Sequence, residues 1–284
     1  MATVNTYPLP VFDAQSHRGG RGQFTEESAY AFRRSLEMGV STLELDIVLT
    51  RDNVPAVWHD PVLLAEKCSS HIGELVHDLT FEQLQTVPCA KQLKEFPEAY
   101  VVPDNRIIQL SEVFELARDY DVHFNIETKI EAVNPEMCAT PEQFVDAIFT
   151  PIFEYGLEEK VMIQSFDWRT FDLVHAIDPR IPLVALWDTT TWYPGTPWGP
   201  YHEDILEAAL EHHIKVLSPD FHLVDAQLIT RAHAYDMVVV PWTVNEPADI
   251  TRLMDLGVDG MISDYPTRLL QLATEHPMVP FPAA

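Results

Sequence analysis

Basic residues are scarce in this chain. Eighteen Lys and Arg stand against 44 Asp and Glu among 284 residues, a formal net charge of −26. So acidic a surface repels nucleic acid and anionic membranes, which are held mainly through Lys and Arg contacts to phosphate. A nucleic-acid partner is therefore not expected, and the acidity itself speaks to solubility. Long apolar runs are lacking too. No stretch approaches the roughly 18 uninterrupted apolar residues of a spanning helix, so no stable membrane anchor is expected. The opening MATVNTYPLP has neither the basic start nor the apolar run of a secretory signal. Cysteine is rare as well. Cys68, Cys89 and Cys138 are odd in number, far apart and without a CxxC pair. That pattern predicts reduced structural thiols in a cytoplasmic protein.

What is present is enough apolar residue, 46% of the chain, for one large core. Strand-like segments recur at Val11–His17, Thr42–Val48, Val122–Lys129, Val161–Ser165, Leu183–Trp187, Val216–Pro219, Met237–Trp242 and Gly260–Ser263. Helical patterns fall between them, among them Ser28–Met38, Leu110–Asp119, Pro141–Tyr155, Trp168–Ile177, Glu203–His212, Val224–Tyr235 and Pro247–Leu256. Strands alternating with helices predict a parallel α/β sheet, and their number and the chain length favour a closed barrel over an open sheet. The expectation is a single domain over residues 1–284. Two connections exceed a simple crossover. One, about residues 61–106, is an insertion after the second strand and contains HDLTFEQL, a short helix; the other is DTTTWYPGTPWGP, from Asp188 to Pro200. Long loops of this kind form lids or binding walls.

The stretch ELDIVLTRDNVPAVWHD, Glu44 to Asp60, carries the sharpest signal. Residues two apart in a strand share a face. Leu43, Leu45 and Ile47 therefore face the helices, while Glu44 and Asp46 face the barrel interior. HFNIETK repeats the design, with Asn125, Glu127 and Lys129 facing inward. Like charges about 4 Å apart repel by roughly 4 kcal/mol at an effective dielectric near 20. A cation or a proton must offset that. A hard divalent ion, Mg²⁺ or Ca²⁺, fits such oxygen ligands; a metal-free ion-pair network with Lys129 and Arg18 is the alternative. His17 in SHRGGRG and His59 in VWHDP each lie where a strand gives way to a loop, and imidazole suits acid–base work near neutral pH. The three glycines of HRGGRG would let backbone amides approach a ligand, and Arg18 offers a fork suited to phosphate.

HRG, five residues, TEES, ELD, HD fifteen residues after Glu44, NIETK, QSF and PWTVN follow one another in an order that resembles the glycerophosphodiester phosphodiesterase family. The likeness runs from about Phe12 to Leu270. It implies a TIM barrel with an insertion after the second strand. It also implies His17 and His59 as catalytic acid and base, Glu44, Asp46 and Glu127 as ligands of one divalent cation, and Arg18 and Lys129 on the phosphate. Trp242 would line the substrate pocket. Gln164 and Ser165, of the QSF turn, and Glu26 would lend support from behind. TEES stands where the family has PENT, so Glu26 keeps the acid, Ser28 can cap the next helix, and Glu27 adds a charge whose role is left open.

The implied activity is metal-dependent hydrolysis of a small-molecule glycerophosphodiester to sn-glycerol 3-phosphate and an alcohol, with His17 as base and His59 as acid. One alternative is a lysophospholipase D, with Trp187, Trp192, Tyr193 and Trp198 holding an acyl chain. A non-catalytic binding protein on the same barrel is another. An amidohydrolase is disfavoured, since no HxH pair ends the first strand. Oligomeric state and preferred alcohol are not legible.

Overall fold

In a computed structural model that describes residues 12–276, eight parallel strands curve into a nearly closed barrel wrapped by helices. In chain order the strands are β1 (Asp13–Ser16), β2 (Thr42–Leu49), β3 (Pro55–Val57), β4 (His123–Thr128), β5 (Val161–Ser165), β6 (Leu183–Trp187), β7 (Val216–Pro219), β8 (Val238–Val239) and β9 (Gly260–Ser263). The short β3 is the exception to the barrel. It folds back antiparallel onto β2, Ile47 opposite Val57. The other eight run in the order β8-β7-β6-β5-β4-β2-β1-β9. Across the seam between β8 and β9, Asp259 N–H donates to the Val239 carbonyl and Ile262 N–H to that of Pro241.

The helices are α1 (Ala29–Met38), α2 (Phe81–Leu84), α3 (Leu110–Leu116), α4 (Pro141–Tyr155), α5 (Arg169–Ile177), α6 (Ile205–Glu211), α7 (Ala226–Ala234), α8 (Pro247–Leu256) and α9 (Pro266–Glu275). Local chemistry sets their limits. Ser28 Oγ accepts from Ala31 N–H at the start of α1, and Gly39 closes it in the left-handed conformation that glycine adopts at low cost. No helix among the described residues is long and apolar enough to cross a membrane.

Period-two alternation divides the core as the sequence predicts. Leu43, Leu45, Ile47, Phe124 and Ile126 join the helix-facing cluster. Each such burial contributes roughly 1.5–3 kcal/mol, which offsets the cost of turning acids inward on the opposite face. Inside the barrel the two halves differ. Met162, Val184, Val216, Val238, Val240 and Ile262 make an apolar half. The half under β1, β2, β4 and β5 is polar: Gln15 donates to Asp13, while Asn125 donates to Gln15 and Gln164.

Several expectations need correction. The β8 ladder is two residues long, not Met237–Trp242; beyond it Val240 and Trp242 still donate to β7, while Pro241 has no N–H to give. Both β3 and α9 are additions. Val11 and the opening decapeptide lie outside the described residues. The three cysteines are not all thiols: Cys68 and Cys89 form a disulfide, and Cys138 is free. Sequence spacing concealed the pair, since the 61–106 segment folds back on itself around Leu63, Val76, Leu79, Leu84 and Val87 and brings both cysteines into one small core.

Candidate active site

Glu44 and Asp46 on β2 and Glu127 on β4 converge at the carboxyl-end rim of the barrel, because the register sets Asp46 beside Glu127 and Glu44 beside Asn125. One oxygen from each of the three lies within 4.8 Å of the others, and all three residues are buried. Glu44 is held at both oxygens, by Gln164 Nε2 at 2.6 Å and by the Arg18 backbone N–H at 3.0 Å. Glu127 accepts from Lys129 Nζ at 2.7 Å. Asp46 differs. Its Oδ2 pairs with Arg18 Nε at 2.9 Å and its Oδ1 lies 3.8 Å from Lys129, yet neither oxygen receives a well-directed hydrogen bond. Buried carboxylate oxygens without directed donors are what a cation's ligands look like before they are filled.

The electrostatics agree. Burial raises Glu44 well above the usual carboxylate range, and the charges of Asp46 and Glu127 push the same way. Burial likewise lifts Glu127 to about 7, with Lys129 opposing and Asp46 adding. For Asp46, burial is overcome by Arg18 and Lys129, and its carboxyl is held low. Three acids share too little positive charge, so in the metal-free protein two of them favour a proton. The residues present fit a hard divalent ion.

His17 and His59 both line the same cleft as Glu44 and Glu127, a space of about 220 Å³. Each imidazole has a carboxylate at Nδ1. Asp264 Oδ1 lies 2.5 Å from that of His17, and Asp60 Oδ1 lies 2.9 Å from that of His59. Both aspartates are held below their ordinary range against the pull of burial, Asp264 by His17 and Asp60 by His59 and Lys67. An ionised carboxylate can only accept, so the proton sits on Nδ1 and each Nε2 keeps its lone pair. Asn245 fixes Asp264 in turn, donating to Oδ2 at 2.7 Å. Burial lowers His17 despite Asp264. His59 falls to about 3, through burial first and then Lys129 and Arg18. Although 30% of its side chain is accessible, that surface opens into the cleft.

Arg18 is buried, tied to Asp46 and Glu26, with φ of 51°. Glu26 pairs with Arg18, Arg21 and Lys67, which outweigh its burial and hold it at about 2. Glu27 does not point into solvent. It is 2% exposed, and its Oε1 accepts from the Asp46 backbone N–H at 2.9 Å. The HRGGRG glycines serve packing instead of a ligand: a Cβ on Gly19 would lie 2.9 Å from that of Ala31, and one on Gly22 would strike the Tyr265 ring at 2.6 Å. Phe166, Leu186 and Trp242 form the apolar wall of the cleft. Gln164 touches Glu44 directly, whereas Ser165 lies a layer behind, accepting from Thr128 Oγ1. Within the aromatic loop, Trp187 is buried, Trp192 stacks on Trp168 at 4.5 Å, and Trp198 lies against Phe166 at 6.1 Å.

Sequence reasoning missed Asp264, Asn245 and Lys67 as members of this constellation. Asp264 had a signal, since it lies two residues beyond the inward-facing Ile262; Lys67 had none.

Comparisons with known proteins converge. Residues 17–268 match the glycerophosphoryl diester phosphodiesterase family. A glycerophosphodiester phosphodiesterase of Caldanaerobacter subterraneus subsp. tengcongensis is 30% identical over 257 residues, covering 90% of this chain and 96% of that protein. A human lysophospholipase D is 25% identical over 303 residues, covering 96% and 89%. The crystal structure of a Silicibacter pomeroyi protein assigned to the glycerophosphoryl diester phosphodiesterases superposes with a TM-score of 0.84 at 26% identity, covering 96% of each chain.

Proposed function

This chain belongs to the glycerophosphoryl diester phosphodiesterase family, and from that premise we propose that it hydrolyses glycerophosphodiesters to sn-glycerol 3-phosphate and an alcohol, using a divalent cation and two histidines. One observation carries the reading: three buried carboxylates meet at the rim between two imidazoles whose Nε2 atoms are both free for chemistry.

Glu44, Asp46 and Glu127 would hold Mg²⁺ or Ca²⁺, which when bound supplies Lewis acidity and an anchor at a phosphoryl oxygen. Arg18 and Lys129 offset the charge that develops on the phosphate oxygens. His17, kept neutral by burial, takes the nucleophile's proton at Nε2. His59 protonates the leaving alcohol. In the substrate-free cleft Lys129 and Arg18 disfavour its charged form, and a bound phosphodiester anion cancels that push and lets Nε2 take up the proton. Trp242, with Phe166 and Leu186, packs the carbon face of the substrate. Gln164 orients Glu44, Glu26 orients Arg18, and Ser165 steadies the turn behind them. The fold is read as one domain from 1 to 284, with the 61–106 insertion closing one side of the site.

A lysophospholipase D reading is favoured by that apolar wall and by the likeness to proteins of that name. Against it, Trp187 and Trp192 are engaged in packing, which leaves the exposed Tyr193, and Trp198 beside Phe166, as the loop's available rings. A panel of glycerophosphodiesters and one lysophospholipid, scored for glycerol 3-phosphate with and without chelator, separates these readings. Release from glycerophosphocholine that stops on chelation and returns with Mg²⁺ or Ca²⁺ supports the first. A His17→Ala variant equal to the parent on every substrate would return the protein to the non-catalytic class.

A further inference from the structure

We propose that Lys67, in the 61–106 segment, is a positioning residue that fixes His59 through Asp60; the proposal rests on the assignment of His59 as the proton donor. Lys67 is 8% exposed, and its ammonium bridges two carboxylates, Glu26 Oε1 at 2.6 Å and Asp60 Oδ2 at 2.5 Å. The other oxygen of Asp60 meets His59 Nδ1. The same Oε1 of Glu26 meets Arg18 Nη1 at 3.4 Å, and Arg18 Nε meets Asp46. A single ammonium thus joins the imidazole on one loop to the guanidinium on another. Without it, nothing would link the half-buried Asp60 to the buried Glu26, and Asp60 would be free to turn from the ring.

The rest of the segment holds that ammonium still. It lies 5.2 Å from the centroid of the buried Trp58 ring, a cation–π contact that limits where the chain can go. The turn that carries it is closed by Cys68 N–H donating to Leu64 at 2.8 Å, and is bound to the returning arm by Ser69 N–H to Pro88 and by the Cys68–Cys89 disulfide. Lys129, Arg18 and Asp46 act on His59 through their charges, whereas the hydrogen bond at its Nδ1 is with Asp60. Asp60 alone sets the tautomer, and Lys67 sets Asp60.

The test compares Lys67→Met and Lys67→Arg with the parent in the metal-loaded protein. Loss of an outer partner of this kind costs about 10–100-fold in activity, expected here in kcat on glycerophosphocholine with KM little changed. A glycerophosphodiester with a nitrophenol leaving group, which needs no proton donor, should lose far less, and Lys67→Arg should restore most of the rate. In nitrogen-15 spectra His59 should pass from a single Nδ1–H tautomer to a mixture, while His17 keeps one. Equal losses on both substrates, or an unchanged His59 signal, would reduce Lys67 to a strut and overturn the proposal. If Lys67→Met does not fold, Lys67→Gln carries the same readouts. A parent that released no glycerol 3-phosphate would overturn the reaction assigned above, and the His59 spectra would still decide the role of Lys67.

Discussion

At the residue scale, the proposed mechanism asks two imidazoles with the same carboxylate-backed geometry to do opposite work, and the leaving group would tell them apart. His59→Ala should fall by about 10²–10⁴-fold on glycerophosphocholine and much less on the nitrophenyl ester. His17→Ala should fall on both. If the pattern is reversed, the base and acid are exchanged. The acids make a second prediction, about pH. Glu44 and Glu127, pushed up by burial and by Asp46, hold protons near neutrality in the metal-free protein, Glu127 at about 7. A cation binds their ionised forms. Metal affinity should therefore rise with pH through 7, with protons released on binding. Titration calorimetry in buffers of different ionisation enthalpy reads this; affinity independent of pH from 6 to 8.5 would contradict it.

At the scale of elements, β2 and β4 were legible because one face packs apolar residues on the helices while the other turns polar groups into the barrel, so ELD and NIETK alternate and declare their inward acids. Their adjacency follows from the barrel reading, in which consecutive barrel strands pair; what the sequence hid is that β3 intervenes between them without entering the barrel. Met237 to Trp242 reads as one long strand, yet the regular ladder is Val238–Val239, and beyond it Val240 and Trp242 still donate to β7 while Pro241 has no N–H to give. Lys67 was hidden for a plainer reason, since one of its two carboxylate partners, Glu26, is 41 residues away; Asp264 had its place after Ile262 as a signal, but its partner His17 is 247 residues away. The disulfide was hidden likewise, its ends 21 residues apart. A closed loop of that length is worth about 3 kcal/mol of unfolded-state entropy. Cys68→Ser/Cys89→Ser should unfold at lower denaturant by about that amount. No change in the midpoint, with the parent's bridge verified by mass, would remove it from the account.

For the whole molecule, a charge of −26 surrounds a site built to receive an anion. On the proposed reading Arg18, Lys129 and a metal held by the three acids would reverse the field at the cleft, but an approaching substrate crosses a repulsive one. Added salt should raise kcat/KM, and more for a net-anionic diester such as glycerophosphoinositol than for the zwitterionic glycerophosphocholine. Equal salt responses would mean that the surface charge does not reach the substrate.

All of this depends on one cation at the barrel rim. Crystals grown with Mn²⁺ and examined for anomalous scattering test it most directly. The account predicts a single strong peak in contact with oxygens of Glu44, Asp46 and Glu127. A peak elsewhere, or none in protein that still releases glycerol 3-phosphate after exhaustive chelation, would contradict it.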